Sequence, residues 1–285
     1  MRIADGHGRV PCLRVYPWDM SATSRFIDRI WPPAWLYSTY EAQVIKRLDR
    51  SAMPRHVAVL ADGNRRWARL NAPGQPLVAG YRAGAVKLQQ FVEWCDDIGI
   101  PVITLWVLST DNLDRSAADE LEPLLEVIDE LVVALADTGR WRVQAVGDLD
   151  LLPTERAASL RASAARTEAV VGMHINVAVS YGGRHELRDA FRSLLAERAA
   201  QGRTLEEVAA TVEIDEISEH LYTKGQPDPD LIIRTSGEQR LSGFLLWQSA
   251  HSEFYFCEAL WPDFRKVDFV RALRNYTQRE RRFGR

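Results

Sequence analysis

Short, unbroken apolar runs alternate along most of this chain with longer stretches in which apolar residues recur every three or four positions. The runs are 56–61, 101–108, 141–146, 174–180 and 231–234, with a short one near 254–256. Their lack of internal alternation predicts strands buried on both faces of a parallel sheet. The periodic stretches predict helices at about 81–98, 119–136, 154–166, 184–201, 204–211, 215–221 and 266–282. In 119–136 the stripe is Leu121, Leu124, Leu125, Ile128, Leu131, Val132 and Leu135; in 81–98 it is Leu88, Phe91, Val92, Cys95 and Ile98. Such stripes ordinarily face a core, and they can also wall an apolar slot. Strand and helix in alternation predict one α/β domain over 51–285, a central parallel sheet flanked by helices.

Residues 1–50 form an N-terminal extension of another kind. They are dense in aromatics, with Tyr16, Trp18, Trp31, Trp35, Tyr37 and Tyr40, and are broken by Pro32-Pro33. Beyond the prolines Leu36, Tyr40, Val44 and Leu48 recur at helical spacing and predict a short amphipathic helix. Three placements are open to it: against the main domain, over a second subunit, or on a membrane surface.

Composition narrows the function classes. The 285 residues are 46% hydrophobic and 26% charged, enough to bury a full core in an ordinary globular protein. A net charge of −3 gives no global basic field for nucleic acid, so any polyanion must meet a local cluster. No apolar stretch approaches the ~20 residues that span a bilayer, and residues 1–20 lack a continuous apolar segment of the signal-peptide type. Cys12, Cys95 and Cys257 are far apart with no CxxC pair, which predicts a reduced, cytoplasmic setting without structural zinc.

The chemistry gathers where strands end. The run His56-Val-Ala-Val-Leu-Ala61 stops at Asp62-Gly-Asn-Arg-Arg-Trp67. Gly63 permits a turn closed to most residues, and Asn64 can cap a helix through Arg65, Arg66 and Trp67. Backbone N–H groups, a helix N-terminus and guanidinium groups would then sit at the carboxyl edge of the sheet, where an anion binds. Asp62 would repel that anion unless a divalent cation lay between them, which a magnesium-bridged diphosphate satisfies. The bland alternative is an Asp that caps the helix, with its arginines in water. Ser109-Thr-Asp-Asn112-Leu-Asp-Arg115 follows the next strand. Arg234-Thr-Ser-Gly-Glu238-Gln-Arg240-Leu-Ser242 follows a later one, where guanidinium forks suit a second diphosphate. P-loop, dinucleotide-binding, HExxH and GxSxG motifs are absent.

These segments, with Gly80-Tyr-Arg-Ala-Gly84, Tyr181-Gly-Gly183 and Trp261-Pro-Asp-Phe264, resemble the cis-prenyltransferases, the undecaprenyl diphosphate synthase family, over residues 54–285. The resemblance implies a homodimer built on a parallel sheet of about six strands, with an apolar tunnel between the sheet and two helices. It implies condensation of isopentenyl diphosphate with an allylic diphosphate, a new cis double bond and release of pyrophosphate. By the same resemblance Asp62 is the carboxylate that works with Mg2+, and Gly63, Asn64, Arg65, Arg66, Trp67 and Tyr81 surround the allylic substrate. Asn112 acts catalytically with Ser109 and Arg115 beside it, Arg234, Arg240 and Ser242 clamp isopentenyl diphosphate, and Glu253 is a second metal contact. The tail Arg282-Phe-Gly284 resembles a segment that reaches a partner's site.

Departures from the family pattern point to a branch within it. Tyr81 replaces a common His, Asp111 a Glu, and Leu113 a Trp. Val107 and Leu108 stand where long-chain synthases carry Ala and Phe, and a branched side chain in a tunnel would block elongation. This looks most like the short-chain branch of actinobacteria, which makes Z,E-farnesyl diphosphate from geranyl diphosphate. A longer-chain synthase, an irregular-coupling enzyme and an accessory subunit of a heteromeric prenyltransferase are the alternatives. The expected location is the cytoplasm, with peripheral contact at the inner face of the membrane left open.

Overall fold

His56–Leu60 forms β1, buried at all five positions, as an apolar run without alternation requires when both faces of a sheet are covered. The computed structural model describes residues 45–46, 48–115 and 118–279, the side chains of 114, 115, 118 and 119 excepted. Most of the aromatic extension, with Leu36, Tyr40 and Val44 of its expected helix, lies outside those residues, as does the tail Arg282–Gly284. The other strands are β2 (Val102–Trp106), β3 (Arg142–Val146), β4 (His174–Ala178), β5 (Leu231–Arg234) and β6 (Glu253–Phe256). All pair in parallel, in the order β3-β4-β2-β1-β5-β6. Each expected strand is present, one to three residues shorter where the apolar run continues into a loop.

The helices are α1 (Asn64–Asn71), α2 (Val78–Ile98), α3 (Thr110–Arg115), α4 (Ala118–Asp137), α5 (Thr154–Thr167), α6 (Gly183–Ala200), α7 (Leu205–Thr211), α8 (Ile214–Ser218) and α9 (Lys266–Gln278). The stripes of α2 and α4 enter one core with the sheet, centred on Phe91, which meets Phe269 edge-on with ring centroids 4.9 Å apart. Segment 110–115, which the periodicity did not mark, is a helix too short to show a period. At the amino edge His56 lies between the Pro227 carbonyl (2.7 Å) and the Thr104 hydroxyl (2.8 Å). Since a carbonyl only accepts, Nδ1 carries the proton and Nε2 accepts from Thr104.

This strand order fixes where a ligand can sit. β1 has β2 on one side and β5 on the other, so the chain leaves neighbouring strands in opposite directions, opening a crevice at their carboxyl ends. Leu60 is level with Trp106 and with Arg234.

Candidate active site

The turn after β1 is held from three sides. Gly63 adopts φ 109°, and a Cβ there would stand 2.9 Å from the Leu260 side chain, so only glycine fits. Gly63, not Asn64, is the N-cap of α1; the Asn64 amide reaches back to the Ala61 carbonyl at 3.3 Å. The buried Thr235 hydroxyl stitches the turn to the β5 loop, donating to the Asp62 carbonyl at 2.8 Å, with the Asp62 N–H 3.0 Å away. On the far side α1 presses on α2 where two small residues admit it. A Cβ on Gly80 would come within 2.2 Å of the Asn64 carbonyl oxygen, and one on Gly84 within 2.5 Å of the Asn64 side-chain oxygen.

Arg234 joins the two halves of the site. Its side chain is only 5% exposed. Nη2 donates to the Asp62 carboxylate at 3.0 Å, and Nη1 donates to the Ser242 hydroxyl at 2.8 Å and to the Arg240 carbonyl. Asp62 is 46% exposed, so its carboxylate also faces the cleft. Ser236 (φ 74°) and Ser242 (φ 51°) lie in the left-handed region, so strain is concentrated in this loop, as at ligand clamps. Arg66 reaches across from α1 to the Ser236 carbonyl at 3.3 Å. Glu238 stands between Arg240 (3.0 Å) and Arg66 (4.0 Å), a carboxylate placed where a phosphate would compete for the same cations.

A cleft of about 800 Å³ runs along this edge, bounded by Asp62, Asn112, Arg234, Arg240, Ser242 and residues 181–185. Ser109 caps α3, its hydroxyl accepting from the Asn112 N–H at 3.2 Å, which turns Asn112 to the cleft. Opposite stands His185, whose Nδ1 is 3.4 Å from the Thr110 hydroxyl. The turn before His185 is anchored by Tyr181, which donates to the buried Glu186 carboxylate at 2.5 Å and accepts from the Leu245 N–H at 3.1 Å. Burial, then the adjacent Glu186, drives the Tyr181 pKa well up, so the phenol stays a donor. Trp106 and Phe244 stack on the same wall, 5.0 Å apart.

Beside the cleft, between α2, α4 and β2, lies an apolar slot of only about 20 Å³, lined by Tyr81, Leu88, Val107, Leu124, Ile128 and their neighbours. Ala61 and Val107 border both spaces. The expected tunnel is therefore narrow along this line, and Leu108 lines the cleft rather than the slot.

Several expected site residues are engaged elsewhere. Arg65 and Tyr81 turn to Glu120 on α4: Arg65 Nε is 2.7 Å from both the Tyr81 hydroxyl and the Glu120 carboxylate, and that hydroxyl donates to Glu120. Burial first and Glu120 second push the Tyr81 pKa up to about 12. The Trp67 indole N–H donates to Asp263 at 2.8 Å, bracing α1 rather than facing the cleft. Arg115 ends α3, its side chain outside the described ones. Glu253, expected as a second metal contact, stands apart from Asp62 within one chain. It opens β6 level with Leu231, at the amino edge, and pairs with Arg279. Asp62 lies beyond Leu60, which is level with Arg234, so in a single chain the two carboxylates are about 15 Å apart along the strands. Sequence reading also passed over His185 and Thr110, though Tyr181-Gly-Gly183 after a strand was the available signal.

Comparison with known proteins agrees with this geometry. Residues 60–284 match the family model described as putative undecaprenyl diphosphate synthase. The (2Z,6E)-farnesyl diphosphate synthase of Thermobifida fusca is 58% identical over 249 residues, 87% of this chain and 97% of that protein. The protein of that name from Mycolicibacterium smegmatis is 54% identical over 260 residues, 90% of this chain and 97% of that one. A crystal structure of lavandulyl diphosphate synthase from Lavandula x intermedia in complex with dimethylallyl diphosphate superposes with a TM-score of 0.75 at 31% identity, covering 82% of this chain and all of that one. With Asp62 and Ser242 joined through Arg234 at the switch point of a six-stranded parallel sheet, and relatives matched over nearly their whole length, this chain belongs to the undecaprenyl diphosphate synthase family of cis-prenyltransferases.

Proposed function

We propose that this chain joins isopentenyl diphosphate to geranyl diphosphate, releases pyrophosphate and yields (2Z,6E)-farnesyl diphosphate. The observation that carries the proposal is the pairing of a roomy polar cleft, where Arg234 bridges Asp62 and Ser242, with a slot of about 20 Å³ bordered by Val107. Two diphosphates have room in the cleft, and the slot bordered by Val107 is narrow beside it. The names of the T. fusca and M. smegmatis relatives support the same product.

In this reading the N-terminus of α1 and Arg66 hold the allylic diphosphate, and Arg234, Arg240 and Ser242 hold that of isopentenyl diphosphate. Guanidinium groups and the helix N-terminus stabilise negative charge as the allylic carbon–oxygen bond breaks. Asn112 and Ser109 face the carbon that then loses its proton. The donor set suits a magnesium ion carried by substrate: Asp62 offers one half-exposed carboxylate, and no group of three His, Cys, Asp or Glu side chains converges among the described residues. Mg2+ binds in this manner, through one or two carboxylates plus phosphates and water, and when bound neutralises the leaving diphosphate. The expected homodimer and cytoplasmic setting belong to the same proposal. An accessory subunit would have no use for Asp62, Arg234 and Ser242 in this arrangement.

Incubation of the purified protein with labelled isopentenyl diphosphate, Mg2+ and dimethylallyl, geranyl or E,E-farnesyl diphosphate tests the proposal. Chromatography of the dephosphorylated products should show C15 alcohol with a new Z bond, formed best from geranyl diphosphate. Polyprenyl or branched alcohols would replace the short-chain reading with another chemistry, and absence of pyrophosphate release would make the chain a scaffold.

A further inference from the structure

The small slot between α2 and α4 is closed by more than apolar packing. Three polar residues from three helices meet at its border: Arg65 on α1, Tyr81 on α2 and Glu120 in the first turn of α4. Tyr81 is 8% exposed and itself lines the slot, and the Glu120 side chain is 18% exposed. The Arg65 side chain is 39% exposed, but the hydrogen bond from Tyr81 to the charged Glu120 lies at a depth where it holds better than a surface ion pair. By contrast Arg82, which pairs with Glu126 at 3.7 Å and Glu130 at 3.2 Å across the same helices, is 54% exposed and screened by water.

A space of about 20 Å³ holds roughly one water, whereas ligand pockets run from about 300 Å³. Hydrocarbon can extend along this line only when α2 and α4 part, and parting them breaks the contact of Tyr81 with Glu120. We propose that Arg65, Tyr81 and Glu120 form a latch that resists this separation and, with Val107, sets the length at which the product stops growing. The latch rests on the short-chain reading above. Val107 blocks by volume from the sheet side, and the latch restrains the helix side. Because Arg65 lies in the first turn of α1, three residues after Asp62, the restraint is continuous with the proposed diphosphate site. Tyr81 thus acts as a positioning residue, determining specificity without touching the reacting carbons.

The test compares wild type, Tyr81→Phe, Glu120→Ala, the double variant and Val107→Ala, each with geranyl diphosphate and excess labelled isopentenyl diphosphate, scored as the ratio of C20 and longer products to C15. Tyr81→Phe keeps the ring in the slot and removes only the hydroxyl. Loss of one such hydrogen bond, about 1.4 kcal/mol, should raise the ratio about tenfold. The double variant should raise the ratio by less than the product of the two single effects, because both single changes break the Tyr81–Glu120 contact. A purely structural role would lower thermal stability and total turnover without moving the ratio. If Val107→Ala lengthens the product while both latch variants leave the ratio at wild type, the latch is overturned and the slot stands. If wild type itself makes long chains, the short-chain reading fails first, and a latch that limits length fails with it.

Discussion

Gly80→Ala isolates the packing that places the phosphate turn. The added Cβ would lie 2.2 Å from the Asn64 carbonyl oxygen and 2.9 Å from the Ala68 Cβ. The first of these is backbone, so no rotamer relieves it, and α1 must retreat by roughly 1 Å to reach ordinary separation. Overpacking of this kind costs about 1–3 kcal/mol, a fall in melting temperature of roughly 3–10 °C for a chain of this size. The larger effect should be kinetic. Asn64 directly follows Gly63 and Asp62, and a displacement of about 1 Å at a reacting centre can lower the rate about a hundredfold. Steady-state kinetics at 20 °C, where the variant is folded, should show that loss in kcat/KM for the allylic diphosphate. Gly84→Ala is the comparison: its Cβ meets the Asn64 side-chain amide at 2.5 Å, whose oxygen has no partner and which can rotate away. Its loss should be well under tenfold. Gly80→Ala turnover within threefold of wild type, alongside a lowered melting temperature, would refute the claim that close α1–α2 packing sets the turn.

Three further outcomes are expected. Asp62→Ala should lower turnover by orders of magnitude with an unchanged melting curve, and chelation of Mg2+ should stop wild-type turnover equally without destabilising the protein; a chelator-induced drop in melting temperature would indicate a protein-held metal instead. Arg234→Lys should raise KM for both diphosphates, since a single ammonium cannot span Asp62, Ser242 and the Arg240 carbonyl as the guanidinium does; an effect on isopentenyl diphosphate alone would contradict the bridge. Stability should depend on pH through His56, whose pKa burial lowers to about 4 from about 6.5. Between those values the unfolded chain binds the proton and the folded chain does not. The contribution is therefore complete above pH 6.5 and is lost as pH falls toward 4, about 2 kcal/mol between pH 7 and 5. His56→Asn should flatten that part of the melting-temperature profile; an unchanged slope would assign the dependence to other groups.

The sheet was legible because burial on both faces leaves a direct mark in composition, an apolar run of strand length. Asp62, Asn112 and Arg234 were legible for a related reason: the first two follow such a run and Arg234 closes one, and the end of a parallel strand lies at the carboxyl edge. The same rule locates Glu253, which precedes Phe254-Tyr255-Phe256 and so opens its strand at the other edge. Strand direction thus sets it apart from Asp62 within one chain. Arg65, Tyr81 and Glu120 could not be read in this way. They are 16 and 39 positions apart on different helices, and no period links them.

That difference separates two kinds of specificity in this fold. The arginine-bearing segments proposed to hold the diphosphates are local features of strand ends, each a few residues long, joined only when β1 and β5 pair and Arg234 comes level with Leu60. Their chemistry follows from the sheet and would persist in any chain with the same strand order. The slot is a relation between two helices and the first residues after β2, so its width responds to side chains that never approach a phosphate. A chain of this family can therefore change how far its product grows while the bond-forming cleft stays intact. Val107 and the latch at Tyr81 are the places where this chain has the means to do so.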